Sequence, residues 1–139
     1  MKIFMQMWMA IHVFIYRLTN GKIGGRMGSE VLLLDTVGRK SGKQRTNPVM
    51  FFQDGSAYVI TASAGGAPTN PGWYYNLRAH PQTTIQVMGQ RIHVAASEAD
   101  PVERERLWAK LVSQSPQFKR YETRTTRKIP MLILKPGQE

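Results

Sequence analysis

The chain has no cysteine, which removes disulfide scaffolds, thiolate metal sites and cysteine nucleophiles together. Histidine is scarce. His12, His80 and His93 have no ligand-like spacing, which argues against a metal centre. His80, before Pro81, reads as a turn residue, and His93 as a residue on the surface of a strand. No serine stands in a G-x-S-x-G elbow. Acids are few, 9 against 19 Lys and Arg. They gather at 98–105, where they read as a solvated helix start rather than a catalytic carboxylate pair. Any enzymatic chemistry would then have to be carried by something bound.

What the sequence does have is an excess of positive charge. The formal net charge is +10 and the pI is near 10.3. The partners to expect are polyanions: nucleic acid, an anionic membrane face, or a small ligand carrying phosphates and carboxylates. Hydrophobic residues make up 42% of 139 positions, enough for a buried core in one domain spanning 1–139. No repeat, linker or low-complexity segment interrupts it. The missing cysteine also fits a reducing compartment, so the expected location is cytoplasmic.

Met1 to Tyr16 is apolar except at Lys2, Gln6 and His12. The run is too short and too interrupted to span a membrane. Arg17-Leu18-Thr19-Asn20 follows it, so there is no small-residue cleavage site for a signal peptide. It reads as a helix over 1–18. Lys2, Gln6 and Arg17 share a narrow polar stripe, leaving most of the circumference apolar. Two roles fit: docking on its own domain, or peripheral contact with the inner membrane face through residues 1–16.

Short strands and turns follow, with two late helices. Glu30 to Thr36 is an apolar run of strand length, stopped by Gly38. Thr46 to Phe52 is a second strand, in which Pro48 suggests an edge or a bulge. Asp54-Gly55 signals a hairpin into Ala57–Ala62. Ser63 to Gly72 is small and rich in Gly and Pro, hence loop, and Trp73 to Arg78 forms a short helix. Thr83–Val87 and Arg91–Ala96 make a hairpin around Met88-Gly89. Asp100-Pro101-Val102-Glu103 starts a helix whose apolar face is Leu107, Trp108, Leu111 and Val112. Met131 to Leu134 is a closing strand. Consecutive hairpins with helices at either end predict an antiparallel barrel-like sheet in the α+β class.

The basic residues are concentrated. Arg39, Lys40, Lys43 and Arg45 sit within seven positions that also hold Gly42, just after Gly38. Glycines let backbone N–H groups approach an oxyanion and the side chains add charge-assisted bonds, so the loop is built like an anion cradle. The plainer alternative is a solvated hairpin loop. It is not a Walker A loop, which needs four residues between Gly and Gly-Lys and a Ser or Thr where Gln44 stands. A second basic group, Lys119, Arg120, Arg124, Arg127 and Lys128, is either a further anion patch or plain surface. Aromatic residues do not interleave with the basic loop and no recognition motif is present, which argues against nucleic acid.

At this point the residues carry a resemblance. It lies in G-R-K-S-G-x-x-R-x-N-P over Gly38–Pro48, then in Thr61-Ala62-Ser63-Ala64-Gly65-Gly66 and Asn70-Pro71-Gly72-Trp73-Tyr74-Tyr75-Asn76-Leu77. Thr126-Arg127-Lys128-Ile129-Pro130 closes the series, and the similarity runs from about Tyr16 to Pro136. The stretch resembles the deazaflavin-dependent nitroreductase and quinone reductase family. These reductases use coenzyme F-420, an 8-hydroxy-5-deazaflavin with a phosphodiester and a polyglutamate tail. The resemblance implies a split β-barrel like those of flavin reductases and pyridoxamine-phosphate oxidases. It also implies a small lipophilic electron acceptor such as a quinone, enone or nitro compound.

By the same resemblance, Arg39, Lys40, Ser41, Arg45, Asn47 and Pro48 would hold the phosphate and tail, with Thr46, Val49 and Met50 of the same stretch beside them. Thr61, Ala62, Ser63 and Ala64 would line the deazaflavin, and Gly72, Trp73, Tyr74 and Asn76 would close the site. Ser63 and Tyr121 are the polar candidates for catalysis. Met50, Ala64 and Phe118 depart from relatives that carry Tyr, Lys and Tyr there, on the acceptor side. Two other readings stay open: a flavin mononucleotide reductase of related fold, and a coenzyme carrier without turnover.

Overall fold

Why the first strand is apolar at nearly every position becomes clear once both of its faces are seen. The computed structural model describes residues 2–19 and 30–137. Strand β1 (Val31–Val37) is buried at every position except Val37. Leu32 and Leu34 point into a core that includes Ile60, Ile85, Leu132 and Leu134. Val31 and Leu33 point the other way, against Val13 and Tyr16 of helix α1 (Lys2–Leu18). A strand covered on both sides has no solvent face to alternate with.

Strands β2 (Gln44–Asp54) and β3 (Ala57–Thr61) follow, then helix α2 (Gly72–Ala79) and the hairpin β4 (Gln82–Val87) and β5 (Gln90–Glu98). Helices α3 (Pro101–Gln114) and α4 (Gln117–Thr123) precede β6 (Met131–Pro136). The strands close a barrel in the order β1-β2-β3-β6-β5-β4, and every pairing is antiparallel. The fold is α+β, as the hairpin pattern predicts.

β2 is longer than its sequence pattern, because Gln44 and Arg45 pair with Val37 and Thr36. Pro48 sits opposite Leu33. The N–H of Phe51 donates to Glu30 O, so by alternation the nitrogen of Pro48 faces away from β1. On that side β3 has already ended at Thr61. The missing donor therefore costs no ladder bond, and the position is locally the edge that proline signals.

α1 is docked along one side. The Tyr16 hydroxyl, fully buried, donates to Val31 O at 2.9 Å and accepts from the Met88 N–H at 2.8 Å. Burial pushes its pKa up, so it stays a neutral hydrogen-bonding group. Arg17 adds a contact to Asp35 at 3.6 Å. The opposite side of α1, with Met7, Trp8, Ile11, Phe14 and Leu18, is 52–71% exposed. The expected docking of this helix on its own domain is thus observed through its buried side. At the start of α3, Asp100 accepts from the Glu103 N–H at 2.8 Å, the cap that the Asp-Pro start predicts. Such a cap stabilises a helix by about 1 kcal/mol.

Candidate functional site

The basic loop between β1 and β2 is not a loose solvated turn. Gly38 N–H donates to Lys43 O and Gly42 N–H to Gly38 O, each at 2.8 Å. Ser41 Oγ accepts from Lys43 N–H at 3.2 Å. Gly42 has φ +70°, which a larger residue would adopt only with strain, and a Cβ at Gly38 would stand 2.5 Å from Ser41 Oγ. The loop's shape is therefore fixed from within, while Arg39, Lys40, Ser41 and Arg45 remain exposed around it.

Arg39 is held further. Its backbone N–H and one guanidinium nitrogen both donate to Asn76 Oδ1 at 3.2 Å, and its guanidinium lies 5.0 Å from the centre of the Tyr75 ring. Asn76, buried on α2, passes its own N–H to Thr36 Oγ1 at 3.2 Å. Strand β1, the loop and α2 are thus tied through one amide side chain.

These residues face a groove of about 740 Å³. Asn47 and Pro48 of β2 form part of its wall, with Ala64, Gly72 and Trp73 across from them. Among the described residues no carboxylate lines it. At Pro48, Ala64 and Trp73 the groove continues into a recess of about 200 Å³. Val49, Met50, Thr61, Ser63 and Tyr121 line that recess, and Phe118 packs edge-on against Tyr121 at 5.1 Å between ring centres. Most of the positions expected from the sequence therefore come together in one continuous trough.

Three do not line it. Thr46 donates to Asp35 Oδ1 at 2.7 Å, beneath Arg17. Ala62 is fully buried in the barrel core, with its N–H donating to Pro130 O. Tyr74 is also in the core, and its hydroxyl donates to Glu98 at 2.5 Å. Burial, reinforced by that carboxylate, pushes the Tyr74 phenol up. In α2, Trp73 and Asn76 share one face and Tyr74 and Leu77 the next, as a period of 3.6 requires. Conversely, Met9 of α1 lines the groove without a signal that local sequence could give, and Pro71, quoted within the Asn70–Leu77 motif but given no role, lines it too.

The second basic group divides. Lys119, Arg120, Arg124 and Lys128 are exposed, but Arg127 turns inward. It donates to Ser63 O at 2.8 Å, Ala67 O at 2.9 Å and Asn70 Oδ1 at 2.5 Å. Burial lowers the pKa of its guanidinium. Arg127 is thus neither anion patch nor plain surface; it fastens the loop that carries Ser63 and Ala64. Gly66 of that loop has φ +84° and abuts α4 so closely that a Cβ would lie 2.8 Å from Tyr121 O. This close approach sets α4, with Tyr121, against the loop that carries Ser63, and both side chains line the recess.

Comparison with known proteins follows the same outline. A F420H(2)-dependent quinone reductase of Mycobacterium tuberculosis (strain H37Rv) is 41% identical over 130 residues, 89% of this chain and 87% of the relative. A solved F420-H2 dependent reductase (FDR-A) superposes with TM-score 0.69 at 36% identity, covering 76% of this chain and 93% of that one. A second solved chain, described as a domain-swapped dimer, has TM-score 0.72 and 31% identity, covering 91% and 93%. A pyridoxamine 5′-phosphate oxidase-type protein of Listeria innocua has TM-score 0.54 at 16% identity, over 78% and 84%. That last likeness concerns the fold alone, and it puts the barrel among split barrels of the oxidase type. The model of one family, F420H(2)-dependent quinone reductase, matches residues 8–136, which include every element of the trough. With this match and the 41% identity to a relative of which 87% is covered, the chain belongs to the F420H(2)-dependent quinone reductase family.

Proposed function

We propose that the trough holds reduced F-420 with its phosphate and tail in the groove and its ring reaching into the recess, where a quinone meets it, making the protein an oxidoreductase that reduces quinones. The observation that carries this is the trough's polarity. Three exposed cations on and beside a self-bonded loop stand at one end, with no carboxylate among the described residues there, and the hydroxyls of Thr61, Ser63 and Tyr121 stand at the other. A phosphodiester and a glutamate tail match the first end in charge and reach. Flavin mononucleotide has a phosphate but no such tail, and would leave part of the cluster unpaired.

When bound in its reduced form, the deazaflavin supplies a hydride from C5 to an electrophilic carbon of the acceptor. The protein's own part is positioning and electrostatics. Arg39, Lys40, Ser41, Arg45, Asn47 and Pro48 hold the phosphate and tail. Val49, Met50, Thr61, Ser63 and Ala64 line the ring, while Gly72, Trp73 and Asn76 close over it and keep water out. Thr46, Ala62 and Tyr74 support this wall from behind. Ser63 and Tyr121 donate hydrogen bonds to the acceptor oxygen on which charge develops. Met50, Ala64 and Phe118 make the acceptor end less polar, which favours quinones over nitro compounds. The product's proton comes from solvent.

A titration tests the coenzyme assignment. Reduced F-420 is expected to bind at least 100-fold more tightly than flavin mononucleotide or a nicotinamide nucleotide; equal affinity for flavin mononucleotide would move the protein to the flavin class.

We also place the protein in the cytoplasm, resting on the inner membrane face through the open side of α1. Among the described residues no helix is long and apolar enough to cross a membrane. Ile11 and Phe14 are 56% and 65% exposed, so Ile11→Gln with Phe14→Gln should leave the melting temperature unchanged. The same pair should abolish sedimentation with anionic vesicles. Unchanged sedimentation would assign that face another role.

A further inference from the structure

Of the second basic group, Arg127 is committed to the Ser63–Asn70 loop, and Lys119, Arg120 and Lys128 are exposed surface. Arg124, just past the end of α4, is placed differently. Its guanidinium spans two walls of the recess. One nitrogen donates to Gly65 O, a long bond at 3.4 Å, and the guanidinium carbon lies 5.8 Å from the centre of the Tyr121 ring. Gly65 and Tyr121 both line the recess. Packing sets the stem of Arg124, because a Cβ on Gly66 would stand 2.9 Å from Arg124 Cβ and 3.2 Å from its Cδ. The residue is nonetheless exposed, so the guanidinium stands at the rim of the recess and open to solvent.

A guanidinium carries five N–H donors, and this one makes a single long bond. Among the described residues no carboxylate pairs with it. The recess behind it is lined, among the described residues, by no charged side chain of either sign. A cation at a helix C-terminus complements the helix dipole, but that role asks for no reach across to Gly65. An anionic group leaving the recess between Gly65 and Tyr121 would meet a planar fork with free donors, which takes a carboxylate by two parallel bonds. The cradle does not supply this charge, since Arg39, Lys40 and Arg45 line the groove and not the recess. We propose that Arg124 is a specificity residue of the acceptor end, favouring a quinone whose ring bears a short carboxylate arm over its neutral counterpart. This assignment rests on the functional reading above and adds to it a charge preference for the acceptor.

Steady-state oxidation of reduced F-420 tests it with two naphthoquinones of one ring type, one with a propionate arm and one with the matching propionamide. The arms are alike in size, so the ratio of their kcat/KM values, compared between proteins, isolates charge. Arg124→Gln keeps the stem that packs on Gly66 and removes the charge. It should lower the ratio of propionate to propionamide about fivefold at low salt, the scale of one exposed ion pair. Arg124→Lys should keep most of the wild-type ratio, and Arg124→Glu should push it below that of Arg124→Gln. High salt should bring the wild-type ratio towards that of Arg124→Gln. An unchanged ratio in Arg124→Gln while both quinones are reduced would overturn the assignment. So would a KM for the coenzyme that rises as much as the ratio falls, since Arg124 would then serve the coenzyme. Reduction of neither quinone by wild type would overturn the functional reading, and the charge preference with it.

Discussion

Arg127→Ala is expected to lower kcat/KM for a quinone by about 30- to 1000-fold while leaving the barrel folded. The guanidinium makes three bonds to the Ser63–Asn70 loop, two of them to backbone carbonyls. A hydrogen bond with a charged partner contributes roughly 1.5–3 kcal/mol, and part of that sum returns as water solvates the freed carbonyls. The residue touches neither groove nor recess, so its effect is one of position: Ser63, Ala64 and the approach to Trp73 lose their fixed place. Arg127→Lys keeps the charge but replaces a planar fork by one ammonium, and should recover only part of the activity. Added guanidinium should restore Arg127→Ala further than it affects wild type. Coenzyme affinity should fall less than kcat, since the phosphate end is held elsewhere. If kcat is unchanged and only the melting temperature drops, Arg127 is a structural clamp without a role in positioning.

The second large effect concerns the cradle. Lys40→Ala or Arg45→Ala should weaken F-420 binding about 10- to 100-fold, from a lost charge-assisted bond of roughly 1.5–3 kcal/mol at ~1.4 kcal/mol per decade. Both side chains are exposed, so rising salt should weaken wild-type binding and narrow the gap to the variants. A deazaflavin lacking its phosphate and tail should bind all three proteins alike. Wild-type affinity for intact coenzyme in both variants at low salt would place the cradle elsewhere.

Much of this was legible before any coordinates. The strands, the Asp54-Gly55 hairpin and the Asp100 cap follow from local chemistry that the tertiary structure leaves intact. The basic turn proposed as an anion cradle was legible too, because its glycines and cations lie within eight positions, Gly38 to Arg45. What sequence could not give depends on which way side chains turn once elements pack. Tyr74 and Trp73 are neighbours in one motif, yet about 100° of helix rotation sends one to the core and the other to the groove. Arg127 lies 57 to 64 residues from the groups it binds, so its pattern is that of any surface cation until the loop is seen against it. Met9 enters the groove only because α1 docks through Tyr16, whose three hydroxyl contacts are 15 to 72 positions away.

The central claim is that this protein moves hydride from reduced F-420 to a quinone in the trough. Anaerobic mixing of protein, reduced F-420 and a quinone measures it directly, through the return of the oxidised coenzyme's absorbance. The account predicts turnover that saturates in both substrates, that fails when reduced flavin mononucleotide or a nicotinamide nucleotide replaces F-420, and that Lys40→Ala slows by raising KM for the coenzyme. Oxidation no faster than without protein, or equal turnover with reduced flavin mononucleotide, would contradict it.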